Sequence, residues 1–174
     1  MTDQYEIINT TKDDLQFVFT LFDHSVSYQQ SNGYPDWENY DRDAIKKDTE
    51  NKNQYKIMLG DEIAMVFSAC YTDKLIWREM DKGESIYLHR IVVNPACKGR
   101  KLFGVLFNWS VSNAKEKGLK NIRMDTWAAN NKIIGYYESF GFSLVESYTT
   151  PNLEALPVHN RNLAMALLEF KLIV

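Results

Sequence analysis

The sequence predicts a single α/β domain over residues 1–174, built on a mixed, mostly antiparallel sheet. In the second half, residues 86–104 and 125–142 each follow the pattern strand, turn and helix N-terminus. This repetition indicates a strand-helix-strand unit at the centre of the fold. Ahead of it, residues 55–70 contain two apolar runs around a Gly-Asp turn and predict an antiparallel hairpin.

The N-terminal third predicts one strand followed by two helices. Residues 5–9 fit a first strand, and the polar cluster 10–14 supplies N-cap hydroxyls and first-turn acids for a helix. Leucine, valine and phenylalanine then recur at helical spacing over residues 15–22. The turn formers of residues 31–37 interrupt the pattern, and residues 41–50 predict a short, charged helix.

The middle of the chain predicts sheet followed by a connection. Residues 55–59 and 63–70 are the two strands of the hairpin. Residues 72–85 mix charges with scattered apolar side chains, so we interpret them as a mobile connection that includes a strand end.

The second half alternates strands and helices. The strand 86–93 stops at Asn94-Pro95, and the apolar positions of residues 102–109 then recur at i, i+3, i+4 and i+7. A strand at 122–127 precedes a helix that Asn130 or Asn131 caps. We predict that the chain closes with two strands, over residues 142–148 and 163–173.

Composition narrows the class of protein. The chain has 45% hydrophobic and 13% aromatic residues, which is enough for a core, and a net charge of -3. Nonspecific nucleic-acid binding needs a basic surface, and a membrane span needs about 18 apolar residues in a row, so we expect neither partner. The first residues do not resemble a signal peptide, which predicts a cytoplasmic protein. Cys70 and Cys97 have no metal-site spacing, and we predict no metal.

The first chemical feature is the basic turn at residues 98–101. It lies between a buried strand and a helix start, where unpaired backbone N–H groups and three basic side chains favour an anion such as a diphosphate. The Lys-Ser/Thr pair of a nucleotide triphosphatase loop is absent, since Val105 and Leu106 follow Gly104. The alternative, a solvated turn that binds nothing, stays open at this point.

The second feature is Asn130-x-x-Ile133-x-x-Tyr136-Tyr137 followed by Gly141-Phe142. Together with the basic turn, it resembles the GNAT acetyltransferases, whose pattern is a strand, a (Gln/Arg)-x-x-Gly-x-(Gly/Ala) loop, a helix, a strand and then Asn-x-x-Ala-x-x-(Phe/Tyr)-Tyr-x-x-x-Gly-Phe. The resemblance is strong over residues 86–145. It implies a central sheet of about seven strands with helices on both faces.

The basic turn departs from the family pattern at three positions. Lys98 occupies the leading basic position, Lys101 replaces the first glycine, and Phe103 replaces the second small residue. Backbone N–H groups do not depend on the side chain, so we still expect acetyl-coenzyme A (acetyl-CoA) as cosubstrate. The resemblance implies that the cofactor contacts are Ile91, Val92, Val93, Lys98, Gly99, Arg100, Lys101, Leu102, Phe103, Gly104, Asn130 and Tyr137. For Asn130, capping its own helix is the alternative.

The resemblance also implies two catalytic residues. Acetyl transfer to an amine needs a base, because a free alkyl amine with a pKa of about 10 is mostly protonated at neutral pH. His89 stands where the family often has a strand carboxylate, and a water chain is the alternative. Tyr137 matches the family tyrosine that protonates the departing thiolate. The alternative for His89 is a partly buried strand residue whose hydrogen bonds a neighbour satisfies, and the alternative for Tyr137 is core packing.

The acceptor site is expected between the first two helices. Aromatic residues there alternate with acids, a combination that suits a cationic amine. We therefore expect an N-acetyltransferase acting on a primary amine of a small molecule, with a homodimer as a further open expectation. The alternative is a noncatalytic acyl-CoA-binding or sensing module. The predicted acceptor residues are Tyr28, Tyr34, Trp37 and Trp127.

Overall fold

The computed structural model describes residues 4–173 and confirms the predicted mixed α/β fold. Seven strands form one sheet in the order β1-β2-β3-β4-β5-β7-β6. The strands are β1 (Tyr5–Asn9), β2 (Gln54–Leu59), β3 (Glu62–Cys70), β4 (Ser85–Val93), β5 (Asn121–Trp127), β6 (Ser143–Thr149) and β7 (Ala164–Lys171). The helices are α1 (Leu15–Ser31), α2 (Arg42–Glu50), α3 (Lys74–Trp77), α4 (Leu102–Glu116) and α5 (Asn131–Glu138).

Strand pairing is mostly antiparallel, as predicted. β2 pairs with β1 and β3, and β7 pairs with β5 and β6, in each case antiparallel. β4 and β5 are parallel, with a register that runs from Ser85↔Asn121 to Leu88↔Met124. This parallel pair is the strand-helix-strand unit that the repeated pattern predicted, with α4 as its helix.

The described residues group into two compact units. The first unit comprises the residues up to Ala69 together with His89–Trp109, and the second comprises Cys70–Leu88 together with the residues from Ser110 onward. Each unit therefore takes segments from both halves of the chain. The single-domain assignment stays a prediction. Among the described residues, no helix is both long and apolar enough to cross a bilayer.

The core of the first unit forms where α1 and α2 pack on the sheet. Val18, Phe22, Ile45 and Val66 are almost fully buried in one cluster, which confirms the helical spacing seen in α1. The Asp41 side chain caps α2 by accepting hydrogen bonds from the N–H groups of residues 43 and 44. Burial of this apolar face holds the two helices on the sheet.

The core of the second unit surrounds Trp77 and Tyr87, both fully buried. The Arg123 guanidinium lies 4.4 Å from the centre of the Trp77 ring and pairs with Glu169. It also donates a hydrogen bond to the Tyr87 hydroxyl, at 3.1 Å. A buried arginine is tolerated there because its charge and its N–H groups are matched.

For residues 72–85, the predicted strand end is present, since β4 begins at Ser85, but the rest is ordered helical structure and not an irregular connection. Residues 74–77 form α3, and a short 3-10 helix continues to Met80. The Asp73 side chain caps α3 by accepting a hydrogen bond from the Ile76 N–H, at 3.2 Å. Ile76 and Trp77 then enter the core. Because charged residues flank Ile76 and Trp77, this buried helical turn resembled a surface connection in the sequence.

Candidate functional site

The basic turn begins at Asn94, whose side chain fixes the end of β4. Its amide donates hydrogen bonds to the Ile63 carbonyl at 2.8 Å and to Glu62 Oε1 at 3.3 Å. Its carbonyl oxygen accepts a hydrogen bond from the Ala96 N–H, at 3.0 Å. Asn94 is buried, so these bonds are shielded from water. The residue therefore holds the start of the turn against β3.

The turn exposes both charge and backbone donors. Gly99 and Lys101 have positive φ, at 86° and 54°, so the backbone alternates in hand just before α4. Among the described residues, no acceptor is found for the N–H groups of Gly99, Lys101 and Leu102. A Cβ added at Gly99 would meet nothing within 4 Å, so the space above it is open. This turn fits a diphosphate group.

The predicted cofactor residues differ in what they expose. Lys98, Gly99, Arg100 and Lys101 are exposed, and the Val93 side chain is 39% exposed. Three basic side chains and the open position at Gly99 thus surround the N–H groups that have no acceptor among the described residues. The three positive charges add to the positive end of α4, a helix of 15 residues.

The apolar members of the predicted set are buried. Leu102 and Phe103 are 3% and 5% exposed, and Val92 belongs to the core of the first unit. Phe103, which replaces a small residue of the family pattern, thus has its ring inside the protein. Any contact that Val92 or Leu102 makes with a cofactor would use main-chain atoms. Ile91 and Gly104 are half-buried.

The strand that leads into the turn has an irregular backbone. Arg90 has a φ of 50° inside β4, in the left-handed region that side-chain-bearing residues seldom adopt. Its guanidinium pairs with Asp48 and donates hydrogen bonds to Ser68 Oγ at 3.1 and 3.2 Å. These contacts hold the distortion in place.

His89, the predicted base, precedes this distortion. Burial, together with the positive charge of Arg90, lowers the pKa of His89 to about 4. The imidazole is therefore neutral at physiological pH and able to accept a proton. As a base it is weak for an ammonium group, whose pKa is about 10.

In the second unit, Asn130 caps α5 and Tyr137 lies on it. The Asn130 side chain accepts a hydrogen bond from the Ile133 N–H, at 3.1 Å, and so caps α5. Its cofactor contact stays a prediction. Tyr137 is half-buried, and burial raises the pKa of its hydroxyl well above 10. The negative charges of Tyr136 and Asp125 would act in the same direction. Tyr137 therefore keeps its proton at neutral pH and is able to donate it.

Sequence reasoning missed two carboxylates in the same unit. An oxygen of Asp73 and an oxygen of Asp125 lie within 4.8 Å of each other. Burial is the main cause that raises the pKa of Asp73 to about 6 and that of Asp125 to about 7, and a neighbouring acid contributes to each rise, Asp81 for Asp73 and Asp73 for Asp125. Carboxylates are also ligands for divalent cations, and the absence of a metal stays a prediction. The sequence signal near Asp125 was Asn130, which lies five residues further along the chain.

Two of the predicted acceptor residues are exposed and adjacent. Tyr28 is 57% exposed, and its ring centre lies 6.4 Å from that of Tyr34 in an edge-on arrangement. The Lys98 ammonium group lies 5.8 Å from the centre of the Tyr28 ring. The structure therefore brings a residue predicted for the acceptor next to one predicted for the cofactor.

The other predicted acceptor residues are less open. Trp37 packs against the core of the first unit, with its ring centre 5.9 Å from that of Phe22. The acids around it are used locally, since Asp36 accepts a hydrogen bond from the Glu38 N–H at 2.6 Å and Asp41 caps α2. Trp127 is a half-buried residue at the end of β5.

A surface depression of the first unit lies elsewhere. It has a volume of about 590 Å³ and is lined by residues of α1 and of the chain before α2, including Asp23, Tyr40 and Arg42. Arg42 pairs with Asp23, and the Tyr40 hydroxyl donates a hydrogen bond to the same carboxylate at 2.7 Å. The depression touches neither the basic turn nor the predicted acceptor residues. We assign it no role.

Solved acetyltransferases share this fold. A GNAT-family acetyltransferase from Listeria monocytogenes has a TM-score of 0.78 at 17% identity, over 97% of this chain and 95% of that one. The Salmonella typhimurium protein yncA, solved with its cofactor acetyl-CoA, has a TM-score of 0.67 at 14% identity, over 96% and 93%. The Escherichia coli ribosomal-protein-S18-alanine N-acetyltransferase has a TM-score of 0.67 at 12% identity, over 97% and 94%.

The sequence itself gives the family. The chain belongs to the GNAT acetyltransferases, because the model of the Acetyltransferase (GNAT) family matches residues 23–142, more than half of its length. That match confirms the resemblance drawn from the two motifs, and proteins of this family use acetyl-CoA. Among curated proteins, no sequence match was found.

Proposed function

We propose that this protein transfers an acetyl group from acetyl-CoA to the primary amine of a small molecule. The observation that carries the proposal is the basic turn, where open backbone N–H groups, exposed cations and a helix N-terminus fit a diphosphate. Family membership supports the choice of acetyl-CoA as the carrier. We also expect the protein to work in the cytoplasm, with its oligomeric state open.

The residues of the basic turn would bind and orient the cosubstrate. The N–H groups of Gly99, Lys101 and Leu102 would donate to the diphosphate, and Lys98 and Arg100 would balance its charge. Bound acetyl-CoA supplies a thioester that an amine attacks directly. A backbone N–H near Val93, with Ile91 and Val92 before it, would donate to the carbonyl oxygen.

Proton transfer would fall to two side chains. Tyr137 holds its hydroxyl proton at neutral pH and would donate it to the departing sulfur. His89 is neutral and would accept the amine proton, either directly or through water. Both roles stand on the family pattern and on the protonation state of each group in this structure.

The acceptor would meet an aromatic surface beside the basic turn. Tyr28 and Tyr34 are exposed and adjacent, and aromatic faces attract ammonium groups. The open surface around them suits a small amine. The structural likeness to an enzyme named for a ribosomal protein makes a protein N-terminus the competing acceptor.

A thiol-release assay tests the proposal. The purified protein is incubated with acetyl-CoA and a panel of alkyl amines and polyamines, and in parallel with peptides that carry a free N-terminus or a lysine. We expect free coenzyme A to appear with small amines. Transfer to peptides alone would contradict the small-molecule acceptor, and tight cofactor binding without turnover would favour the noncatalytic alternative.

A further inference from the structure

The backbone of β4 is distorted at a residue that is poorly suited to the distortion. Arg90 has a φ of 50°, in the left-handed region that glycine adopts freely and that residues with a side chain avoid. The distortion follows the paired part of the strand, since the register of β4 with β5 runs to Leu88. Such irregularities re-aim the residues that come after them. Here those residues are Ile91, Val92 and Val93, the segment proposed to meet the thioester carbonyl.

Three residues hold the Arg90 side chain. Its guanidinium pairs with the Asp48 carboxylate of α2 and donates two hydrogen bonds to Ser68 Oγ of β3, at 3.1 and 3.2 Å. The Ser68 hydroxyl donates its single hydrogen to Gln54 Oε1 of β2, at 2.7 Å, which leaves its lone pairs for the guanidinium. We call Asp48, Ser68 and Gln54 the guanidinium clamp.

The guanidinium clamp is anchored in buried structure. Ser68 is 3% exposed and Gln54 is fully buried. Asp48 follows Ile45 by about one helical turn, and Ile45 is buried in the same cluster as Val92. The two side chains of the ion pair are at most 30% exposed, so water screens their attraction less than that of a surface pair. The clamp is therefore able to hold a backbone conformation that would otherwise relax.

The segment that follows Arg90 is also fixed at its far end. The Asn94 N–H donates a hydrogen bond to the Ala64 carbonyl, at 2.9 Å, and the Asn94 side chain donates to the Ile63 carbonyl. Residues 91–93 therefore span two fixed points, the guanidinium clamp and Asn94. A backbone N–H that faces a developing negative charge contributes most when it does not have to reorganise.

We propose that Asp48, Ser68 and Gln54 are positioning residues for acetyl transfer, which act through Arg90 to aim the end of β4 at the thioester carbonyl. This inference rests on the proposed acetyltransferase function and deepens it. None of the three residues has to touch acetyl-CoA or the amine. Their loss should slow the transfer step and leave the affinity for coenzyme A unchanged, because the basic turn that would bind the diphosphate begins at Asn94, the second fixed point.

Two substitutions at position 90 separate the backbone conformation from the guanidinium group. Arg90→Ala and Arg90→Gly both remove the side chain that the clamp holds, but only glycine adopts a φ of 50° without strain. We therefore expect Arg90→Gly to have a kcat at least about 10-fold higher than that of Arg90→Ala. Equal losses in the two variants would overturn the inference, because the guanidinium itself would then be the group that matters.

Asp48→Ala tests the clamp from the side of α2. We expect it to lower kcat by about 10-fold or more in the unmodified protein, and by less than about twofold in Arg90→Gly, where the backbone needs no clamp. Asp43→Ala is the matched control, because Asp43 is an exposed acid of the same helix that pairs with Lys46 at the surface. The Kd for coenzyme A should be the same in every variant, which also shows that each is folded. A full Asp48→Ala effect in Arg90→Gly would contradict a role through the backbone.

Infrared spectroscopy provides a readout that needs no turnover. A hydrogen bond to the thioester carbonyl lowers its stretching frequency, so we measure that frequency for bound acetyl-CoA labelled with carbon-13 at the acetyl carbonyl. It should be higher on Asp48→Ala and Arg90→Ala than on the unmodified protein, and Arg90→Gly should restore the lower value. A frequency that is the same on all four proteins would overturn the inference.

These measurements separate failure of the inference from failure of the proposed function. If the unmodified protein acetylates amines and Asp48→Ala changes neither kcat nor the carbonyl frequency, the inference fails and the proposed function stands. If acetyl-CoA binds and no amine is acetylated, the proposed function fails and the carbonyl frequency decides the inference alone. If acetyl-CoA does not bind to the unmodified protein, both fail.

Discussion

The ammonium group of Lys98 lies 5.8 Å from the centre of the Tyr28 ring. Lys98 was predicted to bind the carrier and Tyr28 to bind the acceptor, so one contact links the two proposed subsites. At an exposed site such a cation–π contact contributes about 0.5 to 1 kcal/mol. The contact therefore orients the Lys98 side chain, which stays exposed at the basic turn.

Lys98→Ala should weaken coenzyme A binding. Loss of one cation beside a diphosphate costs about 1 kcal/mol, which corresponds to a rise in Kd of about fivefold, measured by calorimetry at low salt. The control is Lys115→Ala, an exposed lysine in the last turn of α4. Pantetheine has no diphosphate and should bind all three proteins equally. A selective loss of pantetheine binding would contradict a diphosphate role.

Tyr137→Phe should slow the reaction without affecting cofactor affinity. The substitution removes the proton donor and keeps the ring, so kcat should fall by about 10²-fold or more while the Kd for coenzyme A stays constant. Tyr136→Phe is the matched control, because this neighbouring tyrosine is 41% exposed and its ring centre is 5.8 Å from that of Tyr137. Equal effects of the two substitutions would indicate a packing role for Tyr137.

Gly141→Ala should destabilise the fold more than Gly118→Ala does. Both glycines have positive φ, which costs an alanine about 1 kcal/mol. At Gly141, however, the added Cβ would also lie 3.1 Å from the Phe170 ring, whereas at Gly118 it would meet nothing within 4 Å. We expect losses of about 2 to 3 kcal/mol and about 1 kcal/mol, respectively, in urea unfolding. Similar losses would show that the Phe170 ring moves aside.

Asp125 and His89 should give opposite pH dependence of the free energy of unfolding. The folded-state pKa of Asp125 is raised from 3.8 to about 7, so its contribution favours folding at low pH and is lost as pH rises through that window. The pKa of His89 is lowered from 6.5 to about 4, so its contribution is present above pH 6.5 and is lost as pH falls. Between about pH 4 and 6.5 the two slopes therefore offset each other.

Single substitutions should expose each slope. Asp125→Asn should be more stable than the unmodified protein at pH 7.5, by roughly 2 kcal/mol after allowance for its partial exposure, and should lose stability more steeply toward pH 5. His89→Gln should remove that acid sensitivity. Urea unfolding at pH 5, 6 and 7.5 measures both effects. Parallel stability curves for all proteins would show that neither pKa is shifted.

Local patterns explain what the sequence could predict. Asn130 caps α5 and Asp41 caps α2 through their own side chains, so the start of each helix is written in a few adjacent residues. The hairpin of β2 and β3 is set by alternation and by a Gly-Asp turn, and Leu59 pairs with Glu62 on either side of that turn. The basic turn is likewise local, because its N–H groups lie between a strand and the helix that follows it.

Features that depend on tertiary packing were out of reach. The buried turn of α3 depends on Trp77 meeting Tyr87 and Arg123, which lie on other strands. The pairing of Asp73 with Asp125 depends on the fold in the same way. The pKa of His89 could not be predicted either, because it is set by burial and by the charge of Arg90. Residue spacing and composition carry no information on any of these tertiary contacts.

Asn94 extends the reach of the basic turn into the β2–β3 hairpin. Its buried amide donates hydrogen bonds to the Ile63 carbonyl and to the Glu62 carboxylate, and both of these residues directly follow the hairpin turn. A random mutagenesis screen for weakened carrier affinity should therefore recover replacements at Asn94 and in this hairpin as well as in the turn itself. Such replacements would weaken the attachment of the basic turn to β3 rather than remove a contact with the carrier. When the basic turn is transferred to a related protein, the β2–β3 hairpin should therefore be transferred with it.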